Sequence, residues 1–263
     1  KKPCVITRGY GRLEKKTLLV NPNNKQSYSI NDLGDEPFAL WKKNPGISMV
    51  VSSNKIKAIN LATKEMNCDV IVLDDGFQSL YIKRNLDIVM INARETGSLM
   101  REKVSSLSRA DVIVFKEIGD DDDFASQIFS IANLQDTLKL ATKNCFTFDL
   151  SLDARGPFLG VCGIANPNSF KDSLNKNNIT VNEFLKFNDH YHYSDLDMKY
   201  LYKKMQDNGC RAIITTTKDY YKLEQINIYN IKIIAFDLSF DFIDNRANYN
   251  NQLDFKNLIK RKI

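Results

Sequence analysis

Short, unbroken apolar runs rich in valine and isoleucine recur through the first half of the chain. Cys4-Val5-Ile6 is the first, followed by Ile47–Val51, Val70–Leu73, Ile88–Ile91 and Val112–Phe115. An alternating pattern marks a strand with one wet face, whereas an unbroken run marks a strand covered on both faces. Asp69, Asp87 and Asp111 lead three of the runs, and a polar segment with helical spacing, Lys55 to Met66, separates the second run from the third. Strands alternating with a helix in this way predict a parallel α/β sheet. Helical spacing is expected over Phe124–Leu140 and a further strand over Phe146–Leu150, while the four aspartates after Gly119 read as a solvated loop at a helix start.

The stretch Asp153-Ala154-Arg155-Gly156-Pro157 reads as a turn and a domain boundary, giving a first domain over 1–153 and a smaller one over 154–263. The second part is also α/β in pattern. A strand is expected over Phe158–Ile164, a turn at Asn166-Pro167 entering a helix over Ser169–Asn175, a helix over Ser194–Asn208 and a buried strand over Ala212–Thr215. At 43% hydrophobic and 26% charged residues, the chain has the composition of a globular protein, not a disordered one.

Composition also narrows the function. The five cysteines are scattered, odd in number and free of any C-x-x-C pair, which argues against a disulfide framework or a zinc site and fits a reducing cytoplasm. No apolar run reaches the ~20 residues that a spanning helix needs, so membrane contact is expected to be peripheral or to come from residues outside this sequence. The net charge of +5 suits an anionic membrane or phosphorylated substrates, and equally an ordinary solvated surface.

Several segments carry residues suited to chemistry. Val70–Leu73 runs into Asp74-Asp75-Gly76-Phe77-Gln78, placing carboxylates at the carboxyl end of a strand, where open α/β folds bind ligands and where hard oxygens suit Mg²⁺. The plain alternative is a strand followed by an Asp-Gly turn. Thr7-Arg8-Gly9-Tyr10-Gly11-Arg12 offers two glycines for close backbone approach and two arginines for phosphate, or simply a strand-ending turn. In Gly34-Asp35-Glu36-Pro37, Asp35 is either the N-cap of the helix that follows or a general base.

The only two histidines of the chain fall in Asp189-His190-Tyr191-His192-Tyr193, a surface loop or a proton-handling one in which Asp189 orients a ring. Thr215-Thr216-Thr217-Lys218-Asp219 offers hydroxyls and an ammonium to an anion, or caps a helix. Arg101-Glu102 is a surface pair or a contact to phosphate and metal.

Taken in order, T-R-G-Y-G-R, G-D-E-P, D-D-G-F-Q, R-E with L-S-R-A-D, then G-I-A-N-P, D-H and T-T-K-D resemble the tetraacyldisaccharide 4′-kinase family from Arg8 to about Asp237. The resemblance implies a P-loop NTPase-like parallel sheet with a smaller C-terminal α/β domain. It implies transfer of the γ-phosphate of ATP, with Mg²⁺, to the 4′-hydroxyl of tetraacyldisaccharide 1-phosphate. The product is lipid IVA, made in lipid A biosynthesis at the cytoplasmic face of the bacterial inner membrane, and no nucleic-acid partner is implied. By the same resemblance Asp35 is the catalytic carboxylate and His190 its partner from the second domain. Asp74, Asp75 and Glu102 are magnesium-side carboxylates, and Arg8, Arg101 and Lys218 face the nucleotide or substrate phosphates. The family's G-x-x-x-x-G-K-[ST] loop is expected ahead of T-R-G-Y-G-R, together with a membrane helix, and no such loop occurs in these 263 residues. The chain is therefore expected to be a fragment, missing its first strand and phosphate loop and unable to bind ATP productively by itself.

Overall fold

A computed structural model describes residues 1–24, 26–92, 101–116, 128, 134, 136–147, 156–244 and 249–263. In chain order the elements begin with β1 (Pro3–Thr7), β2 (Leu18–Val20), α1 (Ile30–Leu33), α2 (Asp35–Lys43), β3 (Ser48–Val51), α3 (Lys55–Lys64) and β4 (Val70–Leu73). Next come β5 (Ile88–Asn92), a 3-10 turn over Val104–Arg109, β6 (Val112–Lys116) and β7 (Leu138–Thr147). The remainder comprises β8 (Phe158–Cys162), α4 (Pro167–Lys176), β9 (Val181–Lys186), α5 (Asp195–Asp207), β10 (Ala212–Thr216), α6 (Thr217–Gln225), β11 (Ile233–Phe242) and α7 (Gln252–Lys262). The protein is a mixed α/β fold in which parallel strand pairs predominate.

The chain divides into two compact units, one of Lys1–Asp74 with Phe146–Leu238 and one of Asp75–Cys145 with Ser239–Ile263. The sequence boundary expected at residue 153 lies outside the described residues.

The first unit contains strands in the order β2-β3-β1-β4, with β1 parallel to both β3 and β4 and β2 antiparallel to β3. Helix α3, capped by the Asn54 side chain, covers one face through Ala58 and Ala62 against Cys4, Ile6 and Val50. Small residues on the helix let it approach the strands closely. The other face packs Met49 and Val51 against Leu33, Phe38 and Tyr28. The same unit contains the parallel order β11-β10-β8-β9. Phe158, Ile214 and Phe236 pack on α4 through Phe170 and Leu174, while Leu159, Val161 and Ile213 pack on α5 through Met198 and Leu201. Helix α5 begins with a reciprocal capping box between Ser194 and Asp197, as its sequence predicts.

In the second unit β5, β6 and β7 are parallel neighbours. Leu138 to Leu140 belong to β7, not to the end of a helix as helical spacing suggested: parallel pairing with Val112–Val114 holds them extended. Of the rest of the expected helix, the described residues are Ile128 and Leu134, which are buried, and Asp136 and Thr137, which lead into β7; the aspartate run is outside the described residues.

Two of the apolar runs depart from the expectation of cover on both faces. Val72 of β4 is 51% exposed and Met90 of β5 is 54% exposed. Among the described residues each strand ends its series and pairs on one side only. Interior strands β1, β3, β6, β8 and β10 follow the expectation.

Candidate active site

Helix α2 starts directly at Asp35, with Gly34 as its N-cap and no side-chain cap. The alternative in which Asp35 itself caps the helix is thus corrected: as the first helical residue it turns its carboxylate to His190 and Lys222 instead. Gly34 has φ +89°, and a Cβ there would lie 2.7 Å from the Tyr10 carbonyl. Gly9, at φ +65°, faces the Leu33 carbonyl with an equally impossible 2.5 Å. The loop after β1 and the turn before α2 therefore pass back to back, and only glycine permits the approach.

Asp35 is 7% exposed, and its contacts converge on one oxygen. His190 Nδ1 lies 3.2 Å from Asp35 Oδ2, and Lys222 Nζ lies 2.7 Å from the same atom. Among the described residues neither a hydrogen bond nor an ion pair reaches Oδ1. His190 occupies the left-handed region at φ +57°. Its N–H donates to the Gly163 carbonyl at 3.2 Å, so the G-I-A-N-P turn after β8 holds the histidine loop. The Tyr10 ring covers the imidazole at a centroid distance of 5.0 Å. Asp189 does not orient the ring: its carboxylate accepts the His190 backbone N–H, and Nε2 stands 3.9 Å away. His192 is exposed.

Behind Asp35, Lys222 also donates to the Tyr191 carbonyl at 3.1 Å and pairs with Asp219 Oδ1 at 3.4 Å. Asp219 is fully buried, its Oδ2 accepting from the Gly163 N–H and the Thr216 hydroxyl. Thr216 is the N-cap of α6, so the cap reading of T-T-K-D holds. Burial, with Asp219 adding to it, pushes the Tyr193 phenol up, and the same causes push the Cys162 thiol up to about 12.

The other sequence candidates are placed as follows. Asp74, at the end of β4, accepts the Thr7 hydroxyl on Oδ2 at 2.8 Å and is exposed. Lys218 pairs with Glu36 at 3.0 Å. Arg8 is exposed and forms no ion pair among the described residues, whereas Arg12 is buried with Nη1 lacking a hydrogen-bond partner. In the second unit Asp75, at φ +50°, pairs with Arg101 at 2.9 Å. Glu102 pairs with Arg109 at 2.8 Å, and hydrogen bonds from Arg109 and then Ser106 hold its carboxyl below the usual range. Among the described residues no group of three or more His, Cys, Asp or Glu side chains is arranged to hold a metal ion. No described helix is long and apolar enough to cross a membrane.

Sequence reasoning missed Lys222, Tyr10 and Gly163. A lysine three residues after an aspartate in the first turn of a helix is a local signal for an ion pair along that helix. Nothing local indicates that this lysine turns toward Asp35.

The tetraacyldisaccharide-1-P 4′-kinase family profile matches residues 1–257. The tetraacyldisaccharide 4′-kinase of Pelodictyon phaeoclathratiforme is 31% identical over 244 residues, covering 84% of this chain and 68% of that protein. The enzyme of the same name from Chlorobium chlorochromatii is 33% identical, covering 84% and 66%. The chain thus spans about two thirds of the length of these curated relatives. The crystal structure of the "apo" form of LpxK from Aquifex aeolicus in complex with ATP superposes with a TM-score of 0.70 at 25% identity, covering 99% of this chain and 79% of that one. With the D-H and G-D-E-P segments joined as described, the chain belongs to the tetraacyldisaccharide-1-P 4′-kinase family.

Proposed function

We propose that this protein phosphorylates the 4′-hydroxyl of tetraacyldisaccharide 1-phosphate from ATP, with Asp35 as general base and His190 as its partner. One observation carries the reading: a carboxylate at the start of α2 and the imidazole of a distant loop meet at 3.2 Å, with no hydrogen bond or ion pair to Oδ1 of the carboxylate among the described residues. Asp35 Oδ1 accepts the proton of the sugar hydroxyl as the hydroxyl oxygen bonds to the γ-phosphorus and the bond to ADP breaks. His190, through Nδ1, fixes the carboxylate's orientation and takes up part of the incoming charge. Such a reaction depends chiefly on positioning and charge neutralisation.

Asp74 is the residue that would hold a magnesium ion. Asp74 offers an exposed carboxylate with Oδ2 engaged by Thr7, and a hard oxygen donor suits that cation. When bound, the ion neutralises phosphate charge. Asp75 and Glu102 as further carboxylates, and Arg8, Arg101 and Lys218 as phosphate contacts, belong to the same proposal, as does the division into lobes at residue 153. So do the P-loop-like character of the sheet and the cytoplasmic face of the inner membrane as the place of reaction, where an acylated substrate is held. No G-x-x-x-x-G-K-[ST] occurs in the 263 residues, and this polypeptide alone is proposed not to hold ATP. Titration calorimetry with ATP tests that point, and a micromolar dissociation constant overturns it. Transfer of labelled γ-phosphate by the full-length protein to the lipid tests the function, and label appearing only as inorganic phosphate counts against it.

A further inference from the structure

Lys222 belongs to none of the sequence motifs, yet its ammonium is the buried cation against which Asp35 rests. We infer that Lys222 is a positioning residue for the phosphoryl transfer: it pins Oδ2 of Asp35 so that Oδ1 is the atom presented to the sugar hydroxyl. The inference rests on the reading of Asp35 as the base and adds a residue to that site.

Three observations support it. First, the lysine side chain is 6% exposed, and a buried ammonium needs close acceptors. Asp219, three residues earlier on the same helix, would serve a purely structural pair. Instead the ammonium stands 2.7 Å from Asp35 and 3.4 Å from Asp219, so its shorter contact is to a carboxylate contributed by a residue 187 positions away (222 − 35). Second, the ammonium is itself fixed. The Tyr191 carbonyl accepts from it at 3.1 Å, and Asp219 is held by the Gly163 N–H and the Thr216 hydroxyl. Its position therefore reports the position of α6 and of the histidine loop together. Third, His190 and Lys222 meet the same oxygen. Two donors on Oδ2 set both the location and the plane of the carboxylate, which is the kind of orientation that in-line transfer requires.

The experiment compares Lys222→Met, Asp35→Asn and the double variant in the full-length protein, with ATP and tetraacyldisaccharide 1-phosphate as substrates. Lys222→Met is expected to lower kcat at least about tenfold while KM for each substrate changes less than about threefold. In the Asp35→Asn background it is expected to lower kcat no further, because the group it positions is already gone. Lys222→Gln, whose amide ends about one bond short of the ammonium's position on Oδ2, carries the same expectation should the methionine variant not fold. An unchanged kcat, or a full additional loss on top of Asp35→Asn, overturns the inference. Full activity of Asp35→Asn instead overturns the reading of the base, so the two failures are told apart.

Discussion

Nδ1 of His190 and Oδ2 of Asp35 are 3.2 Å apart although 155 positions separate the two residues. The pair exists because Gly9 and Gly34 let two turns touch and because Gly163 ties the histidine loop down. When the carboxylate is removed, Asp219 and the Tyr191 carbonyl still hold the Lys222 ammonium. In a protein that joins these residues to the family's phosphate loop, Asp35→Ala is therefore expected to reduce kcat by about 10²–10⁴ while the dissociation constant for ATP stays within about threefold. Steady-state kinetics and nucleotide binding on the same preparation decide it; equal losses in both would falsify the assignment.

His190→Ala removes the partner and keeps the base. Turnover is expected to fall by roughly tenfold to a hundredfold, less than for Asp35→Ala, since Lys222 still holds Oδ2. A loss larger than that of Asp35→Ala would instead make the imidazole the primary proton acceptor.

Gly34→Ala tests the contact between the two turns. The new methyl would meet the Tyr10 carbonyl at 2.7 Å on a backbone with φ +89°. Strain of this kind costs about 1–3 kcal/mol. Urea unfolding should show a lower midpoint, and kcat should fall as the Asp35 helix shifts. Unaltered stability would mean that the turn relaxes freely.

Acid sensitivity has a defined contributor in the turn ahead of Asp35. Hydrogen bonds from the Ser29 N–H and then the Ser29 hydroxyl, each 2.7 Å, hold the Asp32 carboxyl below its usual value. A group depressed in the folded state stabilises above its unfolded value, near 4, and that stabilisation disappears as pH falls through the folded value. The melting temperature of the wild type should exceed that of Asp32→Asn at pH 7, and the gap should close toward pH 2. A gap that widens in acid would contradict the capping box.

Cys162 gives a prediction at the other end of the scale. Burial first, and Asp219 second, push its thiol up to about 12. Because the thiolate is the reactive form, native protein at pH 8 should leave Cys162 unlabelled by iodoacetamide, with labelling in urea. The sign of the linkage follows: the contribution to stability is complete below the unfolded value, about 8.5, and declines as pH rises above it. Rapid native labelling at Cys162, read by peptide mass, would count against a closed β8 end.

Reading the chain alone yields the strands β1, β3, β4, β5, β6, β8 and β10 to within about two residues, because buried parallel strands need unbroken apolar runs that few other elements require. It also yields α3, α4 and α5, the last because a capping box is a contact between residues three apart, whereas α1 and α7 carry the same box and are not read from it. Strands β9 and β11 carry mixed polar patterns and escaped notice: neighbouring strands, not their own residues, keep them extended. Exposed apolar residues at β4 and β5 likewise depend on which strands lie at an edge, a matter of topology that no single run contains.

The same division holds in the site. Asp35 and His190 are visible as chemically able residues at turns, since local sequence fixes side-chain type and the turns that carry it. Lys222 lies outside every motif, and its type alone marks no role. Only the folding of α6 beside α2 buried its ammonium and turned it toward Asp35, because the free energy of a buried charge depends on partners that the chain brings together from far apart in sequence.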